Sequence, residues 1–220
     1  MRELAQGLWH WQAPHPDWES SEPWDPNVSS YAIVDDERLL LFDPLEVPSE
    51  IEALAAERET AIVLTCPWHE RDAESLVERL GAPVFTPLPD SAEYLMETYG
   101  VTAEQAGEGS PDVVWLLREG KGEARPYSPG DRLPFGADVL QGHKPNDTVL
   151  WVESQRAVIS GDTLVDFGRG LEINERWLRP GVTREGVAER LHPLLEWPVE
   201  HVLATHGGPF DRAALERALA

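Results

Sequence analysis

The chain has 220 residues, with 40 acidic against 18 basic side chains for a formal charge of −22, and 41% of it is hydrophobic. That apolar share is a globular one, enough for one substantial core, so a single domain spanning residues 1–220 is expected. The charge excludes the basic footprint of a nucleic-acid binder and disfavours docking on anionic membranes, which leaves a small-molecule ligand as the expected partner.

No run approaches the roughly 18 apolar residues of a membrane span. The N-terminal MRELAQGLWHWQ lacks the apolar stretch of a secretory leader. A lone cysteine, Cys66, excludes internal disulfides and a cysteine-based zinc knuckle. A cytoplasmic location is therefore expected.

Along the chain, Trp9 and Trp11 alternate around His10, as on a strand with one buried face. Residues 12–27 are proline-rich and acidic and read as an irregular excursion. Trp18 and Trp24 within it have three readings: cover for an apolar patch at a sheet edge, a lid over the site, or a homodimer contact. Tyr31–Val34 and Arg38–Phe42 flank Asp35-Asp36-Glu37 as a hairpin. Ser49-Glu50-Ile51-Glu52 reads as a capping box opening a helix. Ala61–Thr65 has the length and apolarity of a buried strand. Asp72 would cap a following helix that Gly81 stops, and Asp90-Ser91-Ala92-Glu93 would cap another ending at Gly100, within a helical and loop-like stretch from Thr86 to Pro111. Strands are expected at Asp112–Arg118, Glu123–Tyr127, Ala137–Leu140, Thr148–Val152, Ala157–Ile159 and Val199–Ala204, with helices at Thr183–Leu195 and Asp211–Leu219. Trp115 and Trp151, inside such runs, are expected in the core. The alternation of elements predicts a layered α/β fold.

Rare polar residues gather just beyond four strands, where layered α/β folds bind ligands. These stretches are Thr65-Cys66-Pro67-Trp68-His69-Glu70-Arg71-Asp72, Gln141-Gly142-His143, Ser160-Gly161-Asp162-Thr163 and Thr205-His206-Gly207. Each alone is weak, since a histidine after a strand is commonly structural and Gly-Asp is a common turn. Together with the opening hairpin that ends in Asp43-Pro44, their order resembles the metallo-β-lactamase-fold superfamily. The resemblance implies a four-layer αββα sandwich with its site at one edge of the two sheets. Within it, His143, Asp162 and His206 match ligand positions, and Asp162 matches the aspartate that bridges two metals.

The main ligand motif of that superfamily, His-x-His-x-Asp-His, is altered here. Aligned on Thr65, its ligand positions hold Cys66, Trp68, Glu70 and Arg71. Tryptophan has no lone pair to give, and arginine is a permanent cation. A site of Cys66, Trp68 and His143 is thus expected to hold no metal. One ion on Glu70, Asp162 and His206 remains open, with a carboxylate taking the proton from a bound water. Two carboxylates and an imidazole suit manganese or iron(II) at least as well as zinc. His69, one residue out of register, would join either set or line the substrate pocket with Arg71, Trp68, Asn174 and Trp177. Cys66 is read as a buried strand-end residue, or as a nucleophile activated by His69 or His143.

Three functions follow. One is a single-metal hydrolase of a small ester, lactone, thioester or phosphoester, with Glu70 and Asp162 in catalysis. Another is a metal-free descendant binding a small molecule or partner, with Arg71 salt-bridged to Asp162 or Glu70. The third is a structural homo-oligomer built on the N-terminal tryptophans.

Overall fold

The computed structural model describes residues 1–35, 37–107, 109–110 and 112–220. The middle of the expected Asp35-Asp36-Glu37 turn and the end of the Thr86–Pro111 stretch fall outside the described residues.

Seven strands form the first sheet in chain order: β1 (Arg2–Ala5), β2 (Leu8–Pro14), β3 (Asn27–Val34), β4 (Arg38–Phe42), β5 (Glu59–Val63), β6 (Val84–Pro87) and β7 (Ala124–Tyr127). The first four are antiparallel, and β4 to β7 run parallel through helical crossovers. The second sheet has the order β14-β13-β10-β9-β8, from β8 (Ala137–Gln141), β9 (Thr148–Val152), β10 (Ala157–Ile159), β13 (His201–Leu203) and β14 (Pro209–Asp211). A small pair, β11 (Leu164–Val165) and β12 (Glu172–Ile173), follows β10.

Alternation along β4 explains the layering. Leu40 and Phe42 enter the core between the sheets with Tyr31, Val63, Leu150, Ile159 and Leu203. Leu39 and Leu41 point the other way, against α1 (Ser49–Ala55) and α2 (Ala73–Leu80). Both faces are covered, so β4 reads as a continuous apolar run. On the outside of the second sheet, Trp151, Val158 and Val202 pack on α6 (Arg184–Leu191) and α7 (Arg212–Ala218). The result is the expected αββα arrangement.

Several local expectations hold in detail. Ser91 caps α3 (Ala92–Tyr99) by accepting from Tyr94 N, Gly100 ends it in the left-handed region, and Gly81 ends α2 likewise. Thr183 caps α6 and Asp211 caps α7. Trp9 and Trp11 share the helix-side face of β2, and His10 turns inward to stack on Tyr31 at 5.0 Å.

Others are corrected. Pro48, not Ser49, sits at the cap of α1, its carbonyl accepting from the Ile51 and Glu52 amides; Ser49 Oγ bonds Glu50 instead. Asp72 stands at the start of α2 but accepts from Glu46 N at 2.6 Å. The expected strand at Asp112–Arg118 contains a short helix, α5 (Val114–Leu117), which follows the capping turn α4 (Ala103–Ala106). A short apolar run cannot distinguish strand from buried helix by periodicity. Here Trp115 and Leu116 reach the helix layer, so Trp115 is core but not strand.

The two sheets are tied together at one edge, and the site forms there. Tyr31 Oη donates to Ala204 O at 2.7 Å, Tyr127 Oη to Leu64 O at 2.6 Å, and Thr148 Oγ1 to Thr65 O at 2.7 Å. Asp147 Oδ1 accepts from Asp162 N at 3.0 Å, holding the loop after β10. Gly161 precedes it at φ 52, where a Cβ would stand 2.4 Å from Asp147 Oδ1. A Gly161→Ala substitution therefore meets both backbone strain and a clash. It is expected to cost about 2–3 kcal/mol, read as a lower urea midpoint at unchanged m-value.

Candidate metal centre

After β5 the chain runs through Leu64 and Thr65 into a single 3₁₀ turn, Pro67–His69, closed by His69 N donating to Cys66 O. Three residues per turn bring positions i and i+3 to the same side. Cys66 and His69 accordingly face the cleft together. Their ligand atoms and a carboxylate oxygen of Asp162 all lie within 4.8 Å of one another, and all three residues are buried.

His69 is held at both nitrogens. Nδ1 lies 3.2 Å from Asp43 Oδ2 and 3.2 Å from Thr65 Oγ1, and Nε2 lies 3.2 Å from Asp162 Oδ1. Asp43 is fixed in turn, accepting from Thr65 N at 2.8 Å and Thr65 Oγ1 at 2.6 Å. A histidine whose far nitrogen is fixed by a carboxylate while the near one faces a cleft is the usual dress of a metal ligand. His206 approaches from the end of β13, its Nε2 3.3 Å from the same Asp162 Oδ1. Neither imidazole is aligned with that oxygen as a hydrogen-bond donor, and Asp162 Oδ1 is buried without a hydrogen-bond partner. The other oxygen, Oδ2, accepts from Trp68 Nε1 at 2.7 Å.

The protonation pattern follows from these neighbours. Burial pushes His69 down, but Asp162 and Asp43 on either side outweigh it and raise it to about 9. His206 has one carboxylate neighbour where His69 has two, so burial prevails and its pKa is lowered. Burial works against the Asp162 carboxylate, yet His69 and His206 hold it well below the usual range. The Cys66 thiol is pushed well up by burial and by Asp162, Asp147 and Asp43. Burial and three carboxylates thus oppose the thiolate that a nucleophilic Cys66 would need.

Glu70, expected as a ligand and as a catalytic carboxylate, is turned away. Its Oε2 accepts from Val113 N at 2.8 Å and Trp115 Nε1 at 2.9 Å, anchoring the loop before α5. The 3₁₀ turn carries His69 inward and leaves Glu70 facing α5. Glu70→Gln is therefore expected to cost about 1–2 kcal/mol of stability through weakened charge-assisted bonds while leaving metal content unchanged. Denaturant titration beside elemental analysis reads both.

Arg71 makes no salt bridge to Asp162 or Glu70. Its Nη1 donates to Asp43 O at 2.6 Å, Ser29 O at 2.9 Å and Ser30 Oγ at 3.4 Å, and Nε is buried without a partner. Asp43 and Arg71 both have positive φ, 44° and 40°, a concentration of backbone strain beside the cleft. Arg71 lines a cavity of about 230 Å³ with His69, Asp162, His206, Trp24 and Trp177. The Trp24 ring stands edge-on to His206 at 4.8 Å and Trp177 at 5.4 Å, so the N-terminal excursion packs over the site. Trp18 supports it by donating to Trp24 O.

His143 lines a second cavity, of about 380 Å³, together with Trp68, Asp162 and Trp177. It does not join the Cys66–His69–Asp162 group. Its Nδ1 lies 2.5 Å from Asp147 Oδ2. Asn174 lines neither cavity; it accepts from Arg176 N at 2.9 Å and closes a turn. Asp43 and Asp147, which orient the two inner histidines, were not among the expected site residues. An aspartate just after an apolar strand, as Asp43 is, was the available signal.

No protein-family model matches the sequence, and no curated protein matches it. Solved structures do. DIM-1 metallo-β-lactamase superposes with a TM-score of 0.63 at 13% identity, over 99% of this chain and 93% of its own. The chain has the metallo-β-lactamase fold. The metallo-β-lactamase family protein TTHA1429 of Thermus thermophilus is similar at TM-score 0.59 and 17% identity, over 98% of this chain and 78% of its own. TTHA1623, solved in a di-iron-bound form, is similar at TM-score 0.57 and 23% identity, over 94% of this chain and 98% of its own. Among the described residues no helix is long and apolar enough to cross a membrane.

Proposed function

We propose that the protein is a hydrolase of a small ester, lactone, thioester or phosphoester that works with one divalent ion, not two. Asp162 carries this reading. Two ligands bonded to one ion at roughly 2.0–2.2 Å and near-tetrahedral angles stand about 3.3–3.6 Å apart. His69 Nε2 and His206 Nε2 stand at 3.2 and 3.3 Å from Asp162 Oδ1, without an aligned hydrogen bond to that oxygen. Cys66, His69 and Asp162 bring their ligand atoms within 4.8 Å of one another, and His206 Nε2 reaches the same Asp162 oxygen as a further donor. Two imidazoles and a carboxylate suit iron(II), manganese or zinc, and a thiolate shifts the choice towards zinc. The donors therefore fit a single ion. Trp68 occupies the second oxygen of Asp162, which a bridging carboxylate would need.

A divalent ion held by Cys66, His69 and Asp162, with His206 beside them, would supply a bound water of lowered pKa and a Lewis acid for a carbonyl or phosphoryl oxygen. Asp43 and Thr65 fix the His69 ring so that Nε2 stays aimed at the cleft. Trp24 and Trp177 shield His206 from solvent, which strengthens the electrostatics beneath them. His143, oriented by Asp147, sits beside Asp162 in the adjoining cavity. There its Nε2 would pass a proton to the leaving group or take one from the attacking water.

A second reading is favoured by the charge state of His69. An imidazolium between Asp43 and Asp162 balances both buried carboxylates without any ion, leaving a binding protein with no turnover. Elemental analysis of the purified protein decides between them. About one divalent ion per chain, removable by chelator with loss of esterase or phosphoesterase activity, supports the hydrolase; protein that takes up no stoichiometric ion from buffers of zinc, manganese or iron(II) sinks it.

A further inference from the structure

In a chain with 40 acidic and 18 basic residues, free positive charge is scarce, and the ion-paired cations are accounted for on the surface. Arg79 pairs with Glu52, Lys121 with Glu74, Arg132 with Asp138, Arg156 with Glu200 and Arg212 with Glu216. The cavity of about 380 Å³ beside Asp162 is different, because Lys144, Arg176 and Arg179 all line it. Among the described residues none of the three is in an ion pair.

Two of these cations are held by neutral aromatic groups. Lys144 Nζ lies 4.4 Å from the centre of the Trp68 ring. Arg179 donates to Tyr94 Oη at 3.1 Å, its guanidinium carbon 5.9 Å from the same ring. Arg176 is exposed at the rim. Of the acidic groups nearby, Asp162 is paired with His69 and His206 and accepts from Trp68, and Asp90 accepts from Asn146 Nδ2 at 2.9 Å; the Asp90 charge reaches Lys144 and Arg179 through space without forming an ion pair with either. Arg190 does not line the cavity and donates to Gly142 O at 3.2 Å. Trp68 and Trp177 give the same cavity flat apolar walls.

We propose that this cavity selects a small molecule bearing an oxyanion, a carboxylate or phosphate, on a flat apolar body, with Lys144, Arg176 and Arg179 taking the oxyanion. Planar guanidinium forks suit either group bidentately, and an ammonium adds a point charge. A local cationic wall on an acidic surface also makes anion capture sensitive to salt. The proposal deepens the hydrolase reading, on which it rests for placing the scissile bond towards Asp162; oxyanion binding itself needs no ion.

The test follows tryptophan fluorescence, since Trp68 and Trp177 line the cavity, in chelator-treated protein titrated with phenyl phosphate, benzoate and neutral benzamide. Phenyl phosphate or benzoate is expected to saturate and to weaken with added salt, and benzamide to bind at least about tenfold more weakly. The tighter of the two anions identifies the oxyanion. The double variant Lys144→Gln/Arg176→Gln, in which one side chain is exposed and the other rests on a ring face, is expected to lose about tenfold in affinity. Arg217→Gln, which removes a charge on α7 beside a different cavity, is expected to bind like the parent. Equal binding of benzamide, or parent-like binding by the double variant, overturns the proposal. Metal content measured on the same preparations is independent, so oxyanion binding in a protein that takes up no ion would sink only the hydrolase reading.

Discussion

Replacing His69 by alanine is expected to strip the protein of its divalent ion, taking metal content from about one per chain to background and hydrolytic activity with it. His69 stands with Cys66 and Asp162 in the group whose ligand atoms converge, and it shares Asp162 Oδ1 with His206, so neither Cys66 nor His206 alone rescues the loss. The orienting carboxylate should show a graded version of the same effect. Asp43→Asn keeps the shape but removes the charge that fixes His69 Nδ1, and metal affinity is expected to fall about 10–100-fold. Cys66→Ser and His206→Ala then report which donor completes the site, because only one of them should approach the His69→Ala result. Elemental analysis after dialysis against a defined metal buffer reads all four. Retention of a full equivalent by His69→Ala would place the ion elsewhere and end the argument built on Asp162. In the metal-free reading the parent binds no ion, and the variant instead loses stability, since two buried carboxylates lose the cation between them.

The strand-end logic was legible in the sequence because it depends on pattern alone. Apolar runs predicted β4, β5, β10 and β13, and the polar residues after them, Asp43, Cys66, Asp162 and His206, do meet at one edge. What spacing could not reveal is the conformation of the link between Thr65 and α2. Counting along an aligned motif placed Glu70 and Arg71 at ligand positions. The 3₁₀ turn at Pro67–His69 instead pairs Cys66 with His69, and the positive φ of Arg71 swings its guanidinium beneath Asp43. A one-residue change of register thus moved the central candidate ligand from a carboxylate to an imidazole. The short helix at Val114–Leu117 was illegible for a related reason: its apolar run fits either element, and Glu70, distant in sequence, supplies the bonds that settle it.

The second large effect is expected at Trp68, where a histidine should raise metal content from about one to about two ions per chain. The indole does two things that oppose a second ion. It offers no lone pair, and its Nε1 donates to Asp162 Oδ2 at 2.7 Å, engaging the oxygen that a bridging carboxylate would use. Trp68→His removes that donation, supplies an imidazole nitrogen, and leaves it in the cavity that His143 and Asp162 already line. Cys66, next to the turn, gives a further donor once an ion makes its thiolate favourable. Trp68→Ala is the control, since it opens the space and frees Oδ2 without adding a donor; it should remain near one ion. Both variants lose the contact with Lys144, so any difference in stoichiometry between them belongs to the imidazole. Cobalt(II) substitution gives a second readout, because spin coupling between adjacent ions appears only if both occupy one centre. A Trp68→His protein that still holds a single ion would show that the indole is not what limits the site, and would move that role to Glu70, whose carboxylate is held towards α5, and to Arg71, which offers no lone pair.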